Sequence, residues 1–181
     1  LPRQKLSVQE LSKRLSIPEQ QTILIIKNLK KKLKLHRDKT RKIPRDIKLL
    51  SGMNGLALAA FSRGAQYDKS LVNSGQKLSE FLTSLWNGKK LRRSKANNKP
   101  GTLYEYASVS WGLLKWGIAA NDNNAKKIGQ EIAKTAWEKF YKNNTWIENP
   151  DSLLPQGTQQ AHIADSALVS AEALLLEASY L

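Results

Sequence analysis

Apolar residues recur at helical spacing along most of the chain, and no long segment alternates between apolar and polar positions as a strand would. Seven stretches have this helical pattern. They lie at about residues 7–15, 18–36, 50–67, 71–86, 103–120, 125–142 and 166–181. Several connections between them are short and polar, which forces neighbouring helices to run antiparallel. The pattern therefore predicts an all-α fold built from antiparallel helical hairpins.

Local signals mark the ends of these elements. Capping boxes at Ser7 to Glu10 and at Ser16 to Glu19 predict where the first two helices begin. The polar stretch 88–100 is predicted to be a short β-hairpin or an extended loop, with Asn97-Asn98 in the turn. A long loop is expected from residue 143 to residue 163, before the last, largely apolar helix. That helix is predicted to be buried.

The charge and the small residues divide the chain into two parts. The net charge is +15, and residues 1–48 hold 15 Lys/Arg against 4 Asp/Glu. We therefore predict a basic helical segment over 1–48 that packs on a helical-hairpin domain over 49–181. In the second part, Gly/Ala-rich helices alternate with Lys/Glu-rich ones, a pattern typical of inner and outer helices stacked around a centre.

The sequence lacks the residues that several classes of function need. The chain has no cysteine and two histidines far apart in sequence, so no metal site is expected. Nucleotide-binding glycine loops and the hydrolase elbow motif are missing, and we expect no cofactor. No apolar run is long enough to predict a membrane span, and the first residues resemble no signal peptide. The composition leaves the compartment open, and a cytoplasmic location is the interpretation we favour.

The basic segment has a second interpretation. Residues 6–19 imitate the opening of a helix-turn-helix motif, with the following basic helix as its reader. Residues 22–26 of that helix are mostly apolar and are predicted to lie in a core, which argues against base-specific contacts. Non-specific binding of nucleic acid or another polyanion stays open. Its candidate residues are Lys30, Lys31, Lys32, Lys34 and Arg37.

Three segments, in order, resemble one protein family. The segment from Asp46 to Phe61 contains Asn54-Gly55-Leu56, the segment from Pro100 to Ala107 contains Tyr106-Ala107, and Leu153-Leu154-Pro155 leads to a third segment, 164–170. Together they resemble bacterial thioredoxin-domain-containing proteins related to spermatogenesis-associated protein twenty. The chain departs from the family pattern at five positions. Those positions are Ile47, Met53, Glu105, Ser166 and Val169, where the family has Asp, Trp, Asp, Gly and Pro.

The resemblance covers roughly residues 9–181 and implies the early part of an α/α toroid similar to the six-hairpin glycosidases. It also implies that this chain is a fragment lacking the thioredoxin-like domain and a complete catalytic apparatus. A carbohydrate-like small molecule is the ligand that such a toroid implies. As partners we expect the remaining parts of the parent chain or a second copy of the fragment, because three hairpins leave an apolar face uncovered. A scaffold for protein–protein docking, without a ligand, is a further alternative function.

Five residues are candidates for a ligand pocket. They are Asn54, Glu105, Tyr106, Trp111 and Asp165. Glu105 and Asp165 have the chemistry of an acid/base pair, but both also stand where carboxylates cap helices, and capping is the interpretation we favour. Asn54 is expected to bond a neighbouring backbone group. Tyr106 and Trp111, together with Trp116, either stack on a sugar or belong to the core. Whether the chain is an enzyme stays open, and as an isolated fragment we expect it is not.

Overall fold

The computed structural model describes residues 5–41, 47–150 and 169–181. It forms two compact units, Leu1–Asp46 and Ile47–Leu181. The described residues contain seven helices and two short antiparallel strand pairs, so the all-α prediction is confirmed. The division between the units lies beside the predicted boundary at residues 48 and 49. The packing of the basic segment on the rest stays a prediction.

The first unit is a pair of helices, α1 (Val8–Leu15) and α2 (Glu19–Thr40). The first capping box is confirmed, because the Ser7 backbone N–H donates to the Glu10 carboxylate over 2.7 Å and the Glu10 N–H donates to the Ser7 hydroxyl. The hydrogen bonds to Ser7 lower the pKa of Glu10. A charged carboxylate therefore fixes the start of α1.

The second predicted capping box is wrong. Pro18 stands at the N-cap of α2 and makes no side-chain cap. Ser16 instead ends α1 in the left-handed conformation, with φ of 53°, a position that usually favours glycine. Its side chain therefore belongs to the turn between the helices, and α2 begins without a hydroxyl cap.

Only one described residue of the first unit, Thr22, is buried. Residues 22–26 form no core within the first unit, since Ile23, Leu24 and Ile25 are exposed there. The physical reason is the size of the partner: α1 has eight residues and α2 has 22, so α1 offers too little surface to cover them. The result is a long helix whose side chains face solvent within the unit.

The second unit contains α3 to α7. These helices are α3 (Ser51–Gly64), α4 (Leu71–Thr83), α5 (Leu103–Ala120), α6 (Asn123–Phe140) and α7 (Ala171–Tyr180). The central helix is α5, which packs against all four others and has twelve of its 18 residues buried. It starts at a carboxylate cap, where Glu105 accepts from the Thr102 N–H, and ends at Asn121 in the left-handed conformation. Both ends match the predicted helix.

The direction of the helices follows from which residues meet. Gly52 of α3 lies against the first turn of α5, and Gly55 lies against the α5 backbone at Ser108 and Gly112, so α3 and α5 run parallel. The return helix α6 runs antiparallel to α5, because Gly129 meets Ser110 while Gly117 meets Lys126. Helices α3, α5 and α7 thus form one layer through α5, and α4 and α6 pack on it.

Two small hairpins complete the unit. Strands β1 (Arg92–Ser94) and β2 (Asn97–Pro100) confirm the predicted hairpin, but its turn lies at residues 95–96, since Asn97 pairs with Ser94. A second hairpin, β3 (Tyr141–Lys142) and β4 (Thr145–Trp146), stands where the end of a helix and the start of a loop were predicted. Asn143 and Asn144 both have positive φ, which is the turn that closes two-residue hairpins.

The last helix is only half buried. Its description begins at Ala171, where the Ser170 hydroxyl caps the helix, and the predicted residues 166–168 lie outside the described part of the chain. Leu174 and Leu175 are in the core, whereas Leu176 is 55% exposed and Tyr180 is 93% exposed. The prediction of a fully buried last helix is therefore wrong for one face. That face has no helix of the described chain beside it.

Candidate functional site

A cavity of about 370 Å³ opens between the parallel helices α3 and α5. Residues from the end of α3 line one side, residues from the second half of α5 line the other, and the chain end after α7 closes it. The lining consists of Ala59, Ser62, Arg63, Gln66, Trp111, Lys115, Ile118, Ala119 and Leu181. The size lies at the lower end of the range for small-molecule sites, about 300–1,000 Å³.

The positions on α5 explain how the cavity is built. Trp111, Lys115 and Ile118 follow each other at intervals of four and three residues, so they lie on one face of the helix. That face is the only accessible one along most of α5 in the described chain, because the residues between them are buried. Because α3 and α5 are parallel, their last turns end together and bring Arg63 to the same opening.

A charged pair borders the cavity. The ammonium group of Lys115 lies 2.6 Å from a carboxylate oxygen of Glu177 on α7, and both side chains are partly exposed. The same ammonium group lies 5.7 Å from the centroid of the Trp111 ring. The hydrogen bond from Lys115 lowers the pKa of Glu177 against the opposing effect of burial. An indole, a cation and an anion are therefore held next to each other.

Trp111 is the one predicted pocket residue that lines this cavity. It is half-buried, and the aromatic residues predicted with it are not available to a ligand. Tyr106 is fully buried, accepts a hydrogen bond from the Leu91 N–H at 2.9 Å and packs edge-on against Phe140. Trp116 is also fully buried and lies against Gly75 of α4. Core packing is thus the role of both.

The polar candidates are engaged in the scaffold. The Asn54 amide donates to the Leu50 carbonyl at 2.7 Å, which is the backbone bond that was expected. Glu105 is 4% exposed, accepts from the N–H and the hydroxyl of Thr102, and forms an ion pair with Arg93 at 3.2 Å. Asp165 lies outside the described residues. The proposed pairing of Glu105 with Asp165 therefore stays a prediction.

Sequence reasoning did not single out Arg63, Gln66, Lys115 or Glu177. Arg63, Lys115 and Glu177 lie on three different helices, Gln66 follows α3, and the four are 114 positions apart at the extremes, so no local spacing brings them together. One signal was present: Lys115 follows Trp111 by four residues on a helix whose other faces are apolar. A polar residue at that interval from a tryptophan marks the accessible face.

The polyanion-binding candidates all lie on α2. Lys30, Lys31, Lys32 and Lys34 are exposed, and the half-buried Arg37 pairs with Asp38 at 2.9 Å. The five candidates do not all lie on one face of the helix. Consecutive residues on an α-helix are about 100° apart, so Lys32 points away from Lys30.

Some kinds of site are not found in the described chain. No cluster of three or more acidic or histidine side chains that a metal ion needs occurs among the described residues. Within the same part of the chain, every helix is too short or too polar to cross a bilayer.

The fold and the cavity define a class, namely a two-layer protein of helical hairpins with a small site between the parallel helices α3 and α5. No protein-family model matches the chain, and no curated protein is significantly similar to it. The kinship given by the three sequence segments therefore stays a proposal.

Proposed function

We propose that residues 47–181 are the early part of an α/α toroid from the thioredoxin-domain-containing family, and that the cavity beside Trp111 binds a carbohydrate-like small molecule. The arrangement of helices supports the first half of this proposal. Helices α3, α5 and α7 form one layer, while α4 and α6 are the return helices that pack on it. Inner helices that run parallel with outer helices returning between them are what a toroid requires.

The residues that line the cavity support the second half of the proposal, the binding of a carbohydrate-like molecule. A sugar presents apolar C–H faces and a rim of hydroxyl groups, so its site combines an aromatic surface with hydrogen-bonding groups of both kinds. The Trp111 indole supplies the surface, and Lys115, Arg63 and Gln66 supply donors. Glu177 pairs with Lys115 beside this lining and has acceptor oxygens, and the hydrogen bond from Lys115 lowers its pKa. The volume suits one sugar ring or a disaccharide end.

Binding without catalysis is the activity we propose for this segment. Cleavage of a glycosidic bond needs two carboxyl groups on opposite sides of the bond. No carboxylate lines the cavity in the described chain, and Glu177, which contacts the lining residue Lys115, is paired with that lysine. Glu105 is committed to the cap of α5 and to Arg93. Any glycosidic cleavage by the parent protein would need carboxyl groups from other segments.

Replacement of Trp111 by phenylalanine tests the proposal. The change keeps an aromatic ring in place but reduces the stacking surface, so binding of a neutral sugar should weaken at least about tenfold, equal to 1.4 kcal/mol. The assay is ligand-observed NMR with a panel of neutral mono- and disaccharides, followed by calorimetry on any that bind.

Trp137→Phe is the matched control, because Trp137 is another half-buried indole, on α6, and does not line the cavity. It should bind as the unchanged protein does. The proposal is wrong if no saccharide in the panel binds at millimolar concentration, or if both variants lose affinity equally. A thioredoxin-like stretch upstream in the reading frame would separately support the kinship.

A further inference from the structure

Five cations of α2 form a stripe along one side of the helix. They are Lys27, Lys30, Lys31, Lys34 and Arg37, which follow each other at intervals of three, one, three and three residues. At about 100° per residue, these positions fall within roughly 120° of the helix circumference. They extend over ten residues, or about 15 Å of helix at 1.5 Å per residue. Lys32 and Lys39 lie outside this basic stripe, towards the opposite side.

The basic stripe is open to solvent within its unit. Its four lysines are exposed, and none forms an ion pair among the described residues. Lys27 and Lys30 border a shallow groove against Val8 of α1, so α1 leaves them accessible. Arg37 is half-buried and forms an ion pair with Asp38. The four lysines are therefore the main cations that the stripe offers to a partner.

Repulsion among the cations of the stripe destabilises α2. Lys27 with Lys31, and Lys30 with Lys34, are like charges one turn apart, and each such pair destabilises a helix by about 0.2–0.5 kcal/mol. Glu19 and Asp38 are the only acidic residues of α2, so the repulsion is not balanced locally. An external polyanion would remove it. A helix that served only as a solvated surface would be expected to mix charges of both signs.

We propose that the basic stripe of α2 binds the phosphate backbone of double-stranded nucleic acid without reading the base sequence. A duplex carries about one negative charge per 1.7 Å of its axis, so a 15 Å row of cations can meet several phosphates at once. The helix is about 10–12 Å across and fits beside or within the major groove. Gln20 is the only amide on the stripe's side, so the bidentate amide contact that reads adenine has almost no donor there.

An anionic membrane is the competing partner, and the apolar residues of α2 argue against it. A helix that lies in a membrane interface needs one continuous apolar face. Leu29 and Leu33 lie on one side of α2, whereas Leu24 and Leu35 lie on nearly the opposite side. All four are exposed, and no single orientation would insert them together. The stripe's cations form one row, whereas the exposed apolar side chains of α2 are divided between different sides of the helix.

The test compares two variants of the full chain that remove the same charge. Lys30→Gln with Lys34→Gln removes two cations from the basic stripe, and Lys32→Gln with Lys39→Gln removes two from outside it. Glutamine is as good a helix former as lysine, so α2 should persist in both, which far-UV circular dichroism can verify. Fluorescence anisotropy with two labelled duplexes of unrelated sequence gives the affinity at salt concentrations from about 50 to 200 mM.

Four phosphate contacts predict a slope of log K against log salt of about −4 for the unchanged protein. The affinity for the duplex should therefore fall on the order of a hundredfold between about 50 and 200 mM salt. The stripe variant should reduce the slope by about two, while the control variant keeps it. Three results would overturn the proposal. They are no binding at low salt, equal effects of the two variants, and tight binding to phosphatidylserine vesicles with none to DNA. A difference above about tenfold between the duplexes would overturn the claim of sequence independence.

Discussion

The close approach of α3 and α5 allows a sharp test of the fold. Gly55 lies against the backbone carbonyl of Ser108, and Gly112 of α5 lies against the Gly55 carbonyl. A Cβ added at Gly55 would overlap that backbone, which cannot rotate away as a side chain can. Gly55→Ala should therefore push the two helices apart and destabilise the second unit.

The magnitude follows from two opposing effects. Overpacking typically costs about 1–3 kcal/mol, and the upper end applies here because the obstacle is backbone. Alanine inside a helix recovers about 1 kcal/mol relative to glycine. The net loss is about 2 kcal/mol, which lowers the melting temperature by about 4–8 °C in a domain of this size.

Gly64→Ala is the control in the same helix. Its added Cβ would come within 2.8 Å of one methyl carbon of Leu71, the end of a flexible side chain that can move. Thermal unfolding followed by circular dichroism should show a melting temperature within about 2 °C of the unchanged protein. If Gly55→Ala is as stable as Gly64→Ala, the two helices do not meet backbone to backbone, and the parallel layer is wrong.

Three further outcomes are expected. Tyr106→Phe should lower the free energy of unfolding by about 1–3 kcal/mol in urea titrations, because it leaves the buried Leu91 N–H without its acceptor; no loss would refute that role. The lowered pKa of Glu177 means that its pairing with Lys115 stabilises the fold at pH values above the ordinary carboxylate pKa. This stabilisation is lost as the pH falls through the pKa that Glu177 has in the folded protein. Glu177→Gln should thus flatten the acid side of the stability curve below about pH 5, by under about 1 kcal/mol because the pair is partly exposed; an unchanged curve would argue against it. The exposed face of α7 should cause self-association, which Leu176→Lys should weaken; a strictly monomeric unchanged chain in light scattering at high concentration would contradict this.

Local signals predicted the helices well and the small hairpins less well. The limits of α5 were predictable because Thr102 and Glu105 form a cap at one end and Asn121 ends the other. The hairpin closed by Asn143 and Asn144 was missed because strands of two residues carry too little alternation to recognise. Its signal was the asparagine pair, since asparagine tolerates the left-handed conformation that this turn needs.

Burial was harder to predict than helix position, because it depends on the size of the partner. The apolar residues 23–25 belong to a core by composition, yet α1 is too short to cover them within the first unit. In the cavity, Trp111 was predictable as an aromatic residue on a helix. Arg63 was not, since only the parallel direction of α3 and α5 brings it to the cavity, and Glu177 was not, since it reaches Lys115 from a distant helix.

The second hairpin gives the molecule an optical marker of its own. The Trp146 ring on β4 lies 4.7 Å from the Trp137 ring on α6, and Tyr141 lies 4.9 Å from Trp146. Indoles this close couple their electronic transitions and give a signed circular-dichroism signal that neither ring has alone. That signal vanishes when β4 leaves α6, whether or not the helices have melted. Opening of this corner can therefore be followed separately from unfolding of the helical layers, without any added label.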